Sequence, residues 1–504
     1  MCLRFKGICK LLYTVVYLIF LDMSLKTPIY LGVVHHPAIG IRIPHVFLPG
    51  ILRAFKLRRT VGTLMLSYGR ETAPEYVINA PPGKYEITRG HTGTSIKEYL
   101  SLAANYAFTE GVVVELEADH VSVSVSSIAA VKRISGVKSE YEISDEDIDK
   151  ALKYIEDEVE EAVSTGVIRF YTLDTCELIR YEADKMDKKD LDAAFEGIDG
   201  WKRILERYLD KRFTVIGESG KSYNFRFREE EIKRIAVKYW RSIEVAERVY
   251  KIFQEKTPWE FGIEIAFDET PHVTEPKEML FYLNELWERG IPVDYIAPNV
   301  GFEKKKDYSG SLEELYRRVE IMSAIARRYG ALLSFHSGSG STPWTGKGPG
   351  VYETLLEATG YKLKYKVSGV YFELLMEIFA RQPKGSKARK LFEDIYDSVI
   401  EYVRKEIEKK GPLYSKVMEE QLREYENLVE RTKDPYLPWA DIFRYYSFLA
   451  LNLRDEGGER PFRRRIIELY EEDVALRNVI DREVAELTLR LIDGLDFKDN
   501  IDLL

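Results

Sequence analysis

Residues 261–270 read FGIEIAFDET. Ile263, Ile265 and Phe267 alternate with Glu264, Ala266 and Asp268, the period of two that a strand imposes. A helix over 277–289 follows and stops at Gly290, a residue suited to a left-handed helix end. VDYIAP (293–298) returns as a strand. Ser311-Leu-Glu-Glu314 is a capping box and opens a helix that runs to Gly330. ALLSFH (331–336) is the next strand. Strand–helix–strand–helix–strand with such short links requires parallel strands joined by helical crossovers.

The pattern extends upstream. GVVVELEA (111–118) sets Val112, Val114 and Leu116 against Val113, Glu115 and Glu117. A long helix after residue 229 carries Ile232, Ile235, Ala236, Tyr239, Ile243 and Ala246 on one face. Its tyrosines and tryptophans are core, not a cofactor box. No Gly-rich phosphate fingerprint opens any helix, so the expected fold class is an α/β (β/α)8 TIM-like barrel with a C-terminal helical extension. The expected boundaries are 86–380 for the barrel and 381–504 for the extension, broken at Gly411-Pro412, Asp434-Pro435 and Gly457-Gly458. Residues 24–85 are a β-leaning lead-in that the pattern does not place.

Composition narrows the partners. The chain has 504 residues, 31% of them charged, and a net charge of −9. Nucleic acid is not expected, because phosphate neutralisation needs a basic surface. Abundant Lys and Glu beside three glutamines fits a heat-adapted source. Cys2, Cys9 and Cys176 have no zinc-type spacing, which fits a reducing cytoplasm. The start, MCLRFKGICK followed by LLYTVVYLIFL, is signal-like but lacks an Ala-x-Ala-like cleavage site. A working chain that begins near Met23, after an over-extended 1–23, is the expectation, and with that start no membrane is expected.

Chemistry in such a barrel belongs at the carboxyl ends of the strands. Glu264 and Asp268 face the interior there, where carboxylates must be paired, hydrogen-bonded or beside a metal. In ELEADH, Glu117 and Asp119 share the inner face and His120 ends the strand. Ser334 and His336 face inward, and SGSGS (337–341) reads as a loop whose backbone N–H groups could cradle an anion. GSTPWTGKG is not a Walker A loop, because it has one residue too many and glycine in place of the magnesium-binding Ser/Thr. Two of the seven histidines stand at strand ends near acids, a donor set suited to Zn, Mn, Fe or Ni rather than calcium. Glu303 could complete it. His272 reads as a surface loop residue, and His35 and His36 read as surface residues outside the barrel.

HTGTSIKEYL, FTEG and EADHV (91–121), TPWEFGIEIAFDET (257–270), APNVGFEKKKDYSG (297–310), LLSFHSGSGS (332–341) and KYKVSG (364–369) follow in an order and spacing that resembles the tagaturonate/fructuronate epimerases. These are metal-dependent isomerases of hexuronate catabolism. The resemblance covers roughly 85–380. It implies a divalent metal held by His120 and His336 with Glu303 or Asp268, Asp119 as proton acceptor and Glu264 as proton donor. Asn299, Ser337, Ser339 and Lys366 fall where the substrate would be oriented. The departures are Glu117 for an aspartate, SGSGS for SGSDK, and KYK for HVK. A histidine is also missing beyond the strand that holds Asp174. They favour a related keto-sugar or keto-acid substrate beside tagaturonate and fructuronate.

The chemistry implied is a retro-aldol epimerisation. A metal-dependent aldolase or keto-sugar isomerase, or a non-catalytic sugar-acid-binding protein, would use the same cleft.

Overall fold

The computed structural model describes residues 27–124, 126–134 and 143–504. The expectation about residues 1–23 lies outside these. Eight parallel strands close a barrel. They are β1 His36–Gly40, β2 Gly62–Ser67, β3 Val114–Ser122, β4 Phe170–Asp174, β5 Gly262–Ala266, β6 Tyr295–Ala297, β7 Leu332–Phe335 and β8 Leu363–Val367. Each strand pairs with its sequence neighbours, and β1 closes on β8 through His36↔Lys364 and Ile39↔Val367. Among the described residues no helix is long and apolar enough to cross a membrane.

The barrel therefore begins about fifty residues before the expected boundary at 86. The lead-in supplies β1, β2 and the helix between them, α1 Pro44–Arg58. HPAIG and GTLMLS are short, and with Ala38, Gly40 and Met65 at interior positions their polar and apolar residues alternate only weakly, so the strand period is faint there. His35 and His36 are buried, not surface residues. His36 Nε2 meets Thr63 Oγ1 at 2.9 Å inside the barrel. His35 Nε2 donates to the Leu495 carbonyl at 2.8 Å while Nδ1 accepts from the Leu363 N–H at 3.2 Å.

Around the barrel run α1, α2 Ile96–Glu110, α3 Asp145–Ser164, α4 Glu229–Lys256, α5 Pro276–Glu288, α6 Leu312–Arg328, α7 Val351–Thr359 and α8 Val370–Ala380. Ser311 caps α6 by accepting from the Glu314 N–H, and Gly290 and Gly330 carry positive φ after α5 and α6. Residues beyond 380 fold as α9 Lys387–Lys409, α10 Lys416–Thr432, α11 Pro461–Glu472 and α12 Val474–Gly494, with shorter turns between.

The extension holds both ends of the barrel. At the amino end, Asn500 bonds the backbones of His35 and Val61. At the carboxyl end, Arg444 donates to the Gly340 carbonyl at 2.9 Å and Tyr445 to the Lys304 carbonyl at 3.0 Å. Helix α12 packs on α1 at Gly50, where a Cβ would come within 2.7 Å of the Val484 side chain and 2.8 Å of the Asp481 carbonyl. On an exposed helix Gly→Ala stabilises by about 1 kcal/mol. Here the close packing should reverse the sign, and Gly50→Ala should cost about 1–3 kcal/mol. A lower denaturation midpoint in urea checks this; a raised midpoint would detach α12 from the core.

Candidate active site

Three layers of side chains fill the barrel. The lowest joins His36, Thr63, Glu115, Phe170 and Tyr295. Glu115 accepts from the Leu31 N–H and Thr63 Oγ1, both at 2.9 Å. Burial pushes its carboxyl up to about 8, because Lys364 offsets only part of the cost. The middle layer is ionic. Lys364 Nζ lies 2.6 Å from Glu117 and 3.2 Å from Glu264, with the Phe170 ring 3.9 Å away. Lys366 pairs with Glu117, Asp119 at 2.8 Å and Glu264 at 3.1 Å, and donates to Thr172 Oγ1 at 2.7 Å.

The upper layer carries the histidines. In register, Ser67 lies beside Asp119, and Ser67 Oγ donates to Asp119 Oδ2 at 2.8 Å. The pairing of β3 with β4 then slips between Ala118 and Val121, and His120 takes φ +45°. A regular strand would send His120 outward, opposite to Asp119. The bulge turns it so that both project into the same site. Asp174, at the end of β4, approaches His120 Nδ1 at 3.3 Å. His336 leaves β7 with Nε2 on Glu264. Its Nδ1 is 3.1 Å from His120 Nε2 and 3.1 Å from Asp268 Oδ1.

Electrostatics follow from this crowding. Burial would raise the Asp119 carboxyl, but Lys366, His120 and His336 outweigh it and hold the group below the usual carboxylate range. Glu264 is likewise held low by Lys366, Lys364 and His336 against burial. Burial lowers His336, yet Asp268 and Glu264 more than reverse this and push it up to about 9. Five buried acids, Glu117, Asp119, Asp174, Glu264 and Asp268, surround two histidines and only two lysines.

His120, Asp268 and His336 offer ligand atoms all within 4.8 Å of one another. Nε2 of His120 stands 3.9 Å from Asp268 Oδ1. Bonds of about 2.1 Å to one ion put neighbouring ligands roughly 3.0–3.5 Å apart, so two edges of this triangle fit and the third is slightly open. Neither Asp268 oxygen makes a well-aligned hydrogen bond. The nearest nitrogens are His336 Nδ1 at 3.1 Å and His120 Nε2 at 3.9 Å from Oδ1, and a buried carboxylate left so weakly bonded is costly unless a cation faces it. The residues present therefore fit a divalent ion. Glu264 on His336 Nε2 and Asp174 on His120 Nδ1 hold each ring so that its other nitrogen faces the cluster, as carboxylates behind metal-binding imidazoles do.

Other expected site residues fall elsewhere. Glu303 is exposed and pairs with Lys306 at 2.6 Å, so of the two alternatives for the third ligand only Asp268 meets the histidines. Asn299 braces loops: Nδ2 donates to the Thr270 carbonyl and Oδ1 accepts from the Gly301 N–H, both at 2.8 Å. The 337–341 loop cradles the protein's own anion, since Asp307 Oδ1 accepts from the Ser341 N–H at 2.8 Å. Ser339 gives its carbonyl to buried Lys347, which also reaches the carbonyls of Glu303 and Lys306. Ser337 is half-buried with φ +56°. His272 is exposed, as expected, against the Tyr181 ring.

Lys364, Asp174, Ser67 and Arg70 were missed. The alternation in LKYKV puts Lys364 on the same face as Lys366, and Asp174 ends its strand as Asp119 nearly ends its own. Ser67 ends the strand that the pattern did not reveal, and Arg70 lies in the turn after it.

A family-wide sequence profile described as tagaturonate epimerase matches residues 128–434, more than half of the chain. The tagaturonate/fructuronate epimerase of Thermotoga maritima is 30% identical over 275 residues, 53% of this chain and 51% of that protein. The match thus spans about half the length of the curated relative. The fructuronate-tagaturonate epimerase of Cohnella laeviribosi, solved with one glycerol, superposes with a TM-score of 0.63 at 19% identity, covering 94% of this chain and 84% of that chain. Its native crystal structure gives 0.62 at 20%, with the same shares of each chain. These likenesses carry the fold, and the profile carries the family: this chain belongs to the tagaturonate epimerase family.

Proposed function

We propose that the protein is an isomerase that epimerises a keto-hexuronate, interconverting D-tagaturonate and D-fructuronate or a close keto-sugar acid by retro-aldol and aldol chemistry. The observation that carries this reading is the placement of an ionised carboxylate, Asp119, beside the His120–Asp268–His336 cluster at the carboxyl end of the barrel. Those three residues would hold a divalent cation. When bound, it would supply Lewis acidity toward the oxygens of the substrate.

The inverted carbon is not adjacent to the ketone, so a single enolisation cannot epimerise it. Asp119 accepts the proton of the hydroxyl on that carbon. The bond to the neighbouring carbon then breaks, leaving an aldehyde, and its electron pair enters an enediolate. Rotation of the aldehyde followed by re-addition inverts the centre. Glu264 is fully buried beneath the histidine layer, so it acts through neighbours. The proton for the re-formed alkoxide comes from Lys366, kept charged by Glu264 and Glu117 and replenished from Asp119 at 2.8 Å. Glu264 thereby becomes a positioning group for Lys366 and His336, not the direct donor that the resemblance implies.

The mouth favours an acid substrate. Arg42, Arg70, Lys304, Lys305 and Arg444 have four acids in ion-pair range, Glu71, Glu269, Glu373 and, at 3.7 Å, Asp441. Arg70 is buried with Nε unbonded. A rim with surplus positive charge concentrates anions at the cleft.

Two measurements check the reading. Metal content of purified protein should be about one ion per chain, lost in His336→Ala and Asp268→Asn and kept in Glu303→Gln. Retention in the first two variants would move the ion elsewhere. With D-tagaturonate as substrate, the parent should form D-fructuronate, and Asp119→Asn should lower kcat by roughly two to four orders of magnitude with metal content unchanged. Cleaved products in place of the epimer would favour the aldolase reading. No turnover at full metal occupancy would favour a binding protein.

A further inference from the structure

A cleft of about 650 Å³, none of whose lining residues belongs to the histidine layer, opens between the 78–93 segment and the start of α11. Its sequence, GGERPFRRR (457–465), sets arginines where a helix tolerates them least. Helix α11 has Pro461 at its first turn, no side-chain cap and no acidic residue there. Positive side chains at that end oppose the helix dipole. Arg454 and Arg460 also face the cleft. Their hydrogen bonds go to neutral groups: the carbonyls of Ile78 and Ala80 and the Asn452 side chain.

Neither guanidinium has a carboxylate in ion-pair range. Arg463 is answered by Glu98 at 2.8 Å, yet its Nε is buried and unbonded. Arg464 reaches Glu468 only at 3.7 Å. Against the four arginines the lining sets two acids, Glu459 and Glu468. Burial and the adjacent Arg454 and Arg463 push Arg460 down to about 10. Gly93 makes room for this arrangement, because a Cβ there would come within 2.5 Å of Arg460 Cδ.

We propose that this cleft binds the phosphate group of a small metabolite. Two uncompensated guanidiniums match a dianion, whereas a single carboxylate would neutralise one of them. Free N–H groups at the start of α11 and forked guanidinium donors suit an anion with several acceptor oxygens. The ligand would lie outside the barrel mouth and leave the site of epimerisation open.

Calorimetric titration of the full chain with inorganic phosphate and with pyrophosphate, at ionic strength matched with chloride, tests this. One site per chain is expected, weakened at least tenfold by Arg460→Gln and by Arg464→Glu. Arg460→Gln also removes a contact to the 78–80 loop. Arg464 touches no loop. Arg464→Glu loses only its exposed pair with Glu468 and puts an acid in the first turn of α11, two small effects of opposite sign, so the melting temperature without phosphate should change little. Three results would overturn the proposal: no heat beyond the chloride control, binding of galacturonate but not of either phosphate, or affinity unchanged in both variants. The last would put the anion at the histidine cluster.

Discussion

Charge buried inside a closed barrel has to be balanced inside it, and this constraint organises the molecule. Glu115, Glu117 and Asp119 climb one strand, and Lys364 and Lys366 climb another across the interior. Eight strands leave a centre narrow enough for side chains from opposite walls to touch. Each ammonium therefore serves several acids at once. Removing one member of such a set typically costs 3–5 kcal/mol, because the others are left uncompensated in a medium that solvates them poorly. The balance is weakest at the top, where Asp268 has only the two imidazoles beside it, His336 at 3.1 Å and His120 at 3.9 Å, and no well-aligned hydrogen bond. That deficit is where a cation fits.

The ionic middle layer also fixes the chemistry above it. Lys366 keeps Asp119 ionised, and Glu264 points His336 so that Nδ1 faces His120 and Asp268. The β3 bulge then lets one strand end deliver both an acid and an imidazole. A non-glycine residue at φ +45° is uncommon, and its position beside the histidine cluster is consistent with strain kept for a purpose. Second-sphere contacts of this sort are built into strands and not into loops, which holds them tightly in place.

The extension is part of the same structural unit. It seals the amino end of the barrel through Asn500 and roofs the carboxyl end through Arg444 and Tyr445. The loops after β6 and β7 are tied to it and to each other by Lys347 and Asp307. Burial pushes Lys347 down to about 7, and the three carbonyls around it pull the other way, since they call for three donors, which an ammonium has and a neutral amine lacks. Those loops are thus held by protein groups where an anion cradle was expected.

The sequence by itself determined the fold class and half of the site. For β3, β5, β6 and β7 the strand pattern, the cap at Ser311 and the glycine stops were legible, because polar residues on the interior face alternate with apolar ones under the helices; β4 and β8 were reached only through the resemblance. Asp119, His120, Glu264, Asp268 and His336 were legible as polar residues at strand ends. Local pattern did not reveal β1 and β2, where Ala38, Gly40 and Met65 take interior positions that carry charges on other strands, so polar and apolar residues alternate only weakly. Nor could it tell Asp268 from Glu303 as a partner of the histidines. Both follow strands by a few residues, and only the path of each loop decides which carboxylate turns inward. The bulge at His120 and the pairing of Lys364 and Lys366 with acids three strands away were likewise decided by tertiary structure. Register and closure are properties of neighbouring strands, and a single strand's sequence holds only its own share of them.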